Sequence, residues 1–189
     1  MKTSPFNCPN GLVETWKHIY VGDSRNVVKR IITNHCHGNV EGSALRKAVA
    51  EAIGYRLRKT RRRNGSMRIR IDLSDPNEGE TVVSAYIKSG KWKYIVCESY
   101  KEAHDFQWYA ISKLKPVLNR KMQPWDYSKT RRYRELLSRM LKSRALSCNK
   151  LHNKPTGPGV YILLHQLAPE DLKRNPIIIQ KFLSLGPLD

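Results

Sequence analysis

A chain of 189 residues with 40% hydrophobic residues is long enough for one packed domain and too apolar for global disorder. Its 35 Lys and Arg against 16 Asp and Glu leave a net charge of +19. Such an excess is costly on a compact body without an anionic partner, and nucleic acid is the partner it fits best. No apolar run approaches the ~20 residues of a membrane-spanning helix, and residues 1–9 lack the apolar centre of a secretory signal.

In chain order, residues 10–22 read as one or two strands, Gly11-Leu12-Val13 first and Ile19-Tyr20-Val21 closing the stretch. Gly22-Asp23-Ser24-Arg25 then makes a tight turn into a basic helix over 26–33. That geometry projects Tyr20 and Arg30 towards one end of the sheet. Residues 35–41 form a loop marked by Gly38 and Asn39. Ser43 caps a second helix with Ala44, Leu45, Ala48, Val49, Ala52 and Ile53 inward and Arg46, Lys47 and Glu51 on the opposite face. Residues 56–70 are dense in cations around the Asn64-Gly65 turn signal, which predicts a phosphate-contacting loop.

Ser74-Asp75-Pro76 opens a third helix with Thr81, Val82, Ala85 and Tyr86 inward and Gly90 as its stop. Residues 91–98 alternate as a strand, and 101–114 form a helix that Pro116 ends. Past Gln123-Pro124 the spacing predicts a basic amphipathic helix over 129–146, striped with Tyr133, Leu136, Leu137, Met140 and Leu141. It either packs on the body or clasps DNA. Gly159-Val160-Tyr161-Ile162-Leu163-Leu164 is a strand. The fold class is therefore α+β: a small, mainly antiparallel sheet flanked by helices, with a C-terminal basic helical arm and a final strand. The expected organisation is a core over 1–122, an arm over 123–154 and a strand and tail over 155–189 that completes the sheet in one of the readings below. Cys8, Cys36, Cys97 and Cys148 show no C-x-x-C pair, which predicts reduced thiols and a cytoplasmic setting. His35-Cys36-His37 with Cys148 and His152 lacks the ordinary zinc spacings.

Two stretches resemble the GIY-YIG nucleases, in a restriction-endonuclease-like form. Ile19-Tyr20-Val21-Gly22 with Arg30 is similar to the tyrosine-glycine strand followed by a helix arginine. The stretch 102–119, with Ile111, Leu114, Pro116 and Asn119, is similar to the family's closing motif. The resemblance covers about residues 19–119. It implies a metal-dependent endonuclease of double-stranded DNA, using Mg²⁺ or Mn²⁺. Tyr20 would be the general base, with Arg30 lowering its pKa and clamping the phosphate. His35 would assist the phosphate or leaving group, although Asn34 holds the more usual spacing. Asn119 would order the loop beside the site.

Three positions depart from the pattern. The family's metal-binding glutamate position holds Gln107, a neutral and far weaker ligand. That implies an impaired nuclease, or else a catalytically inactive DNA-binding protein of the same fold. Asp23 replaces a polar residue that is often lysine. The opening Gly-Ile-Tyr is supplied either by Gly11-Leu12-Val13 or by Gly159-Val160-Tyr161, which brings Tyr161 into the site through the C-terminal strand. Arg25, Lys29, Arg46, Arg58, Arg61, Arg62, Arg63, Arg131 and Arg132 are the expected DNA contacts. Cutting both strands calls for a homodimer or for sequential nicking.

Overall fold

A computed structural model describes residues 15–173; Gly11-Leu12-Val13 lies outside the described residues. Strand β1 (Lys17–Ser24) leads into α1 (Val27–Lys29), which Asn26 caps and which widens into a π-helical turn over Arg30–Cys36. Helix α2 (Ala44–Ile53) follows, then β2 (Leu57–Arg61), β3 (Met67–Ile71), α3 (Pro76–Ser89), β4 (Lys91–Val96) and α4 (Tyr100–Leu114). The chain continues through α5 (Thr130–Lys142), β5 (Gly159–His165) and α6 (Pro169–Lys173).

The main sheet is antiparallel with the order β1-β5-β4, so the last strand in sequence is the central one. All seven residues of β5 are buried. A strand covered on both faces needs apolar side chains on both, which is why Val160 to Leu164 reads as a continuous apolar run rather than an alternation. One face of the sheet, with Ile19, Trp92, Tyr161 and Leu163, packs on α1, the π turn, α2 and α3. The other, with Val21, Ile95, Val160, Ile162 and Leu164, packs on α4 and α5. A bulge in β1 between His18 and Tyr20 re-aims the strand, as bulges do. Ile19 and Tyr20 thereby pack on the first core while Val21 enters the second.

The outer edge of β1 is closed by the segment after α4. Val117 and Leu118 donate their N–H groups to the carbonyls of His18 and Ile19. Asn119 continues the ladder with its side chain, accepting from the Val21 N–H at 2.8 Å and donating to the Val21 carbonyl at 2.9 Å. An edge strand next to the cleft is thus neither open nor free to slip.

The structure corrects several expectations. Residues 56–70 are not a loop but the β2–β3 hairpin, closed by a turn in which Gly65 takes φ +82°, the left-handed position a three-residue hairpin loop requires. The loop expected from residue 35 starts later, because His35 and Cys36 belong to the π turn and are fully buried. In α3 Thr81 is exposed, and Val83 and Ile87 are buried with Val82 and Tyr86. Helix α5 is shorter than expected. Tyr133, Leu136, Leu137 and Met140 are buried against β4 and α4, so the helix packs on the body. Cys36 and Cys148 are joined in a disulfide, leaving Cys97 as the free cysteine among the described residues. The cytoplasmic expectation loses the support of reduced thiols. No helix among the described residues is long and apolar enough to cross a membrane.

Candidate active site

The β1–β5 pairing puts Gly22 directly opposite Tyr161, and the Tyr161 ring lies across the glycine. A Cβ at position 22 would sit 2.4 Å from the Tyr161 hydroxyl oxygen, so only glycine lets this ring lie flat on the strand. The Tyr20 and Tyr161 rings stack with centroids 6.4 Å apart. Both line a cleft of about 430 Å³ shared with Asp23, Arg30, Gln107 and Asn119. Gly22→Ala is expected to displace the Tyr161 ring and to lower stability by about 1–3 kcal/mol, the usual cost of overpacking. A thermal melt with no loss of Tm would contradict this close contact.

Arg30 opens the π turn. It donates through Nη1 to the Gly42 carbonyl at 3.2 Å, and its charge acts on the Tyr161 hydroxyl. His35 lies five residues on. In a regular α-helix a residue four positions on shares the arginine's face, but the i→i+5 bonding of a π turn shifts that face by one residue. This is how His35, not Asn34, arrives behind Tyr161. Its Nε2 is 2.7 Å from the Tyr161 oxygen and its Nδ1 is 2.7 Å from Ser43 Oγ. The ring stacks on Trp92 at 5.9 Å with planes 7° apart.

The hydrogen-bond network fixes the direction of these contacts. Ser43 is buried and its Oγ accepts from the Arg46 N–H. Among the described residues the only acceptor for its proton is His35 Nδ1. A buried hydroxyl proton left unpaired is costly, so Ser43 donates to Nδ1 and Nε2–H donates to Tyr161. The Tyr161 oxygen therefore accepts from His35, and its own proton is left facing the cleft that it lines. Burial, with Arg30 and Arg46 adding to it, lowers the His35 pKa to about 3, so the imidazole is neutral in neutral solution. Burial also raises the Tyr161 pKa well above that of a free tyrosine, with Arg30 opposing it.

Two expected roles are corrected here. His35 is fully buried behind Tyr161 and does not line the cleft, so it does not reach a phosphate or a leaving group. Arg30 does pull the Tyr20 pKa down, but burial outweighs it and Asp23 adds to the rise, so the net shift is upward. Tyr20 is a neutral phenol, not a phenolate.

At the far side of the cleft Gln107 is 8% exposed. Its amide lies 3.4 Å from His104 Nδ1, which in turn bonds the Asp23 carboxylate at 3.0 Å. Asp105, two residues earlier, is turned away and accepts from the Tyr133 hydroxyl and from the Asp126 N–H. No group of three or more His, Cys, Asp or Glu residues suited to a metal is present among the described residues.

The expected DNA contacts divide. Arg46 is corrected outright: it is fully buried and ion-paired with Glu80 at 2.6 Å, bonding also Ser84 and the carbonyls of His35 and Glu80. It holds the π turn to α3. Arg132 is tied to Glu98 and Glu102, and Arg131, largely exposed, pairs with Glu135. Arg58 pairs with Asp72 and Arg62 with Glu41. Arg25 lies over the Tyr100 ring at 4.8 Å, while Lys29, Arg61 and Arg63 are exposed. Sequence reasoning missed Arg120 and Lys121, which line the cleft; their position next to Asn119 was the available signal.

No curated protein and no solved structure gives a significant match to the chain. The model of the GIY-YIG catalytic domain matches residues 9–142, more than two thirds of the sequence, and ends before the strand that carries Tyr161. With that match beside a cleft holding Tyr20, Gly22, Arg30 and Asn119, the chain belongs to the GIY-YIG catalytic domain family, a family of nucleases.

Proposed function

We propose that this chain is an endonuclease that hydrolyses phosphodiester bonds of double-stranded DNA, restriction-like, with Mg²⁺ or Mn²⁺. The observation that carries the reading is the convergence of two tyrosines and an arginine in one cleft on a body of charge +19. Arg30 binds the scissile phosphate, a fork of donors matched to its oxygens. Tyr161, rather than Tyr20, is the general base: its own proton first passes to solvent in the cleft, and the phenolate left behind takes the proton of the attacking water. His35 Nε2–H donates to the Tyr161 oxygen and the Arg30 charge lies close enough to favour the phenolate, so both stabilise that charge. Asp23 opposes a phenolate at both tyrosines, and it is the His35 donor that sets Tyr161 apart. Tyr20 stacks on Tyr161 and fixes its ring, His35 positions the Tyr161 oxygen, and Asn119 keeps β1 in register.

The fit of a divalent metal rests on Gln107 and Asp23. A hard cation takes oxygen ligands and is commonly held by one or two carboxylates with substrate phosphate. Here the amide nitrogen of Gln107 and the carboxylate of Asp23 meet at the same His104, and Gln107, through its amide oxygen, and Asp23 are the residues that would hold the ion. When bound, the ion supplies Lewis-acid stabilisation of phosphoryl charge. A neutral amide in place of a carboxylate weakens that hold, so the chain works slowly. This same residue favours the second reading, a DNA-binding protein that has lost cleavage. Duplex cutting requires two such sites, from a homodimer or in succession.

Duplex binding tests the partner. The unaltered chain is expected to bind DNA tightly at low salt, with affinity falling steeply as salt rises. Replacing Arg61, Arg62 and Arg63 with alanine should weaken all sequences alike and flatten the log–log salt slope by about two to three. An unchanged slope would show that the hairpin tip touches no phosphate. Tighter binding to RNA than to duplex DNA would overturn the substrate assignment.

A further inference from the structure

The β2–β3 hairpin has two different faces. The register Leu57↔Ile71, Lys59↔Ile69 and Arg61↔Met67 places one set of side chains on one face. Ile71 is buried there, and Leu57 and Ile69 pack on the main core. Arg58↔Arg70 and Thr60↔Arg68 occupy the other face, which turns away from the core. Arg58 and Arg70 are exposed on it, and Arg68 is half-buried. Like charges directly opposite one another destabilise a strand pair. Asp72 offsets Arg58 at 3.4 Å, but among the described residues no carboxylate pairs with Arg68 or Arg70. Arg68 Nε instead donates to Thr60 Oγ1 at 3.1 Å, which holds its guanidinium on this face.

An anion would relieve the repulsion on such a face, and its dimensions suit one in particular. Five residue pairs span about 17 Å, with strands about 5 Å apart. The major groove of B-DNA, about 12 Å wide, admits a two-stranded ribbon. The hairpin is also anchored to the cleft. Arg62 pairs with Glu41 at 2.6 Å, and the next residue, Gly42, is the carbonyl that holds Arg30. A duplex whose phosphate sits on Arg30 therefore brings its neighbouring groove to the hairpin.

We propose that the β2–β3 hairpin is a base-reading ribbon that enters the major groove beside the scissile phosphate, with Arg58, Arg68 and Arg70 as the reading side chains. This rests on duplex DNA being the substrate. Arginine reads guanine through bidentate bonds to O6 and N7, so the preferred site contains guanine next to the cut. The bases are read by this outer face, while the tip cations Arg61 and Arg63 contact phosphate, which positions without specifying.

The test is selection of duplexes from a random pool by the full chain in EDTA, followed by affinity measurements. The expected result is an enriched guanine-containing motif. Substituting 7-deazaguanine for its guanines should lower affinity about tenfold per reading contact. The variant Arg58→Lys, Arg68→Lys, Arg70→Lys keeps the charge but loses the fork. It should bind random DNA with the same affinity and salt slope while losing the preference. Arg70→Lys alone, at a side chain with no hydrogen bond or ion pair among the described residues, carries the same expectation for one base pair should the triple variant melt early. Tight binding without sequence preference, or a preference that survives the lysine variants, overturns the ribbon and leaves the nuclease reading standing. Failure of the unaltered chain to bind any duplex defeats both.

Discussion

Gln107→Glu is expected to raise Mg²⁺-dependent DNA cleavage by about 10²-fold or more, the scale on which one well-placed electrostatic contact acts in a reacting site. Glutamate is the same size as glutamine, and position 107 sits one helical turn before Ile111 on the cleft side of α4. The change adds charge without altering packing. It also places a second carboxylate near Asp23, which already bonds His104. Two carboxylates in one buried corner repel unless a cation lies between them. The variant should therefore gain Tm on adding Mg²⁺, by the mass-action stabilisation of the state that binds the ion. The parent should gain much less. An equal Mg²⁺ response in the two proteins would remove position 107 from the metal site, whatever the cleavage rates.

The second large effect is at the C-terminal strand. In the Gln107→Glu background, Tyr161→Phe should lower cleavage by about 10²–10⁴-fold, the range for losing a general base. DNA affinity should hardly change. The ring still fills its place over Gly22 and against Tyr20, so only the hydroxyl is lost. His35 Nε2–H then has no acceptor in a fully buried position, which adds a stability cost of about 1–3 kcal/mol. Tyr20→Phe removes a hydroxyl to which no imidazole donates, and its effect on cleavage should be much smaller. The reverse order of the two tyrosines would return the base to Tyr20.

Much of the core was legible because it depends on local signals. The Asn26, Ser43, Asp75 and Ser99 caps each accept an N–H in the first turn of their helices, and such signals stand in the sequence itself. The unbroken apolar run of β5 marked a strand, and the structure shows it buried on both faces. What the sequence hid was long-range. Arg46 reads as a surface cation until Glu80, on another helix, is placed against it. The π turn that delivers His35 leaves no residue signature. The Cys36–Cys148 pair spans 112 residues and has no spacing rule. Charge density alone could not show that residues 56–70 fold as a ribbon, because a row of arginines suppresses the alternation by which an edge strand is recognised.

The most direct measurement is cleavage of supercoiled plasmid in Mg²⁺ by three proteins: the parent, Gln107→Glu, and Gln107→Glu with Tyr161→Phe. A site built from β1 and β5 predicts a slow parent, a fast single variant, and a double variant near the parent's rate or below it, all three binding DNA alike. Equal rates in the single and double variants would contradict a site completed by the C-terminal strand. No cleavage by any of the three, with binding intact, would mean that the fold serves DNA binding alone.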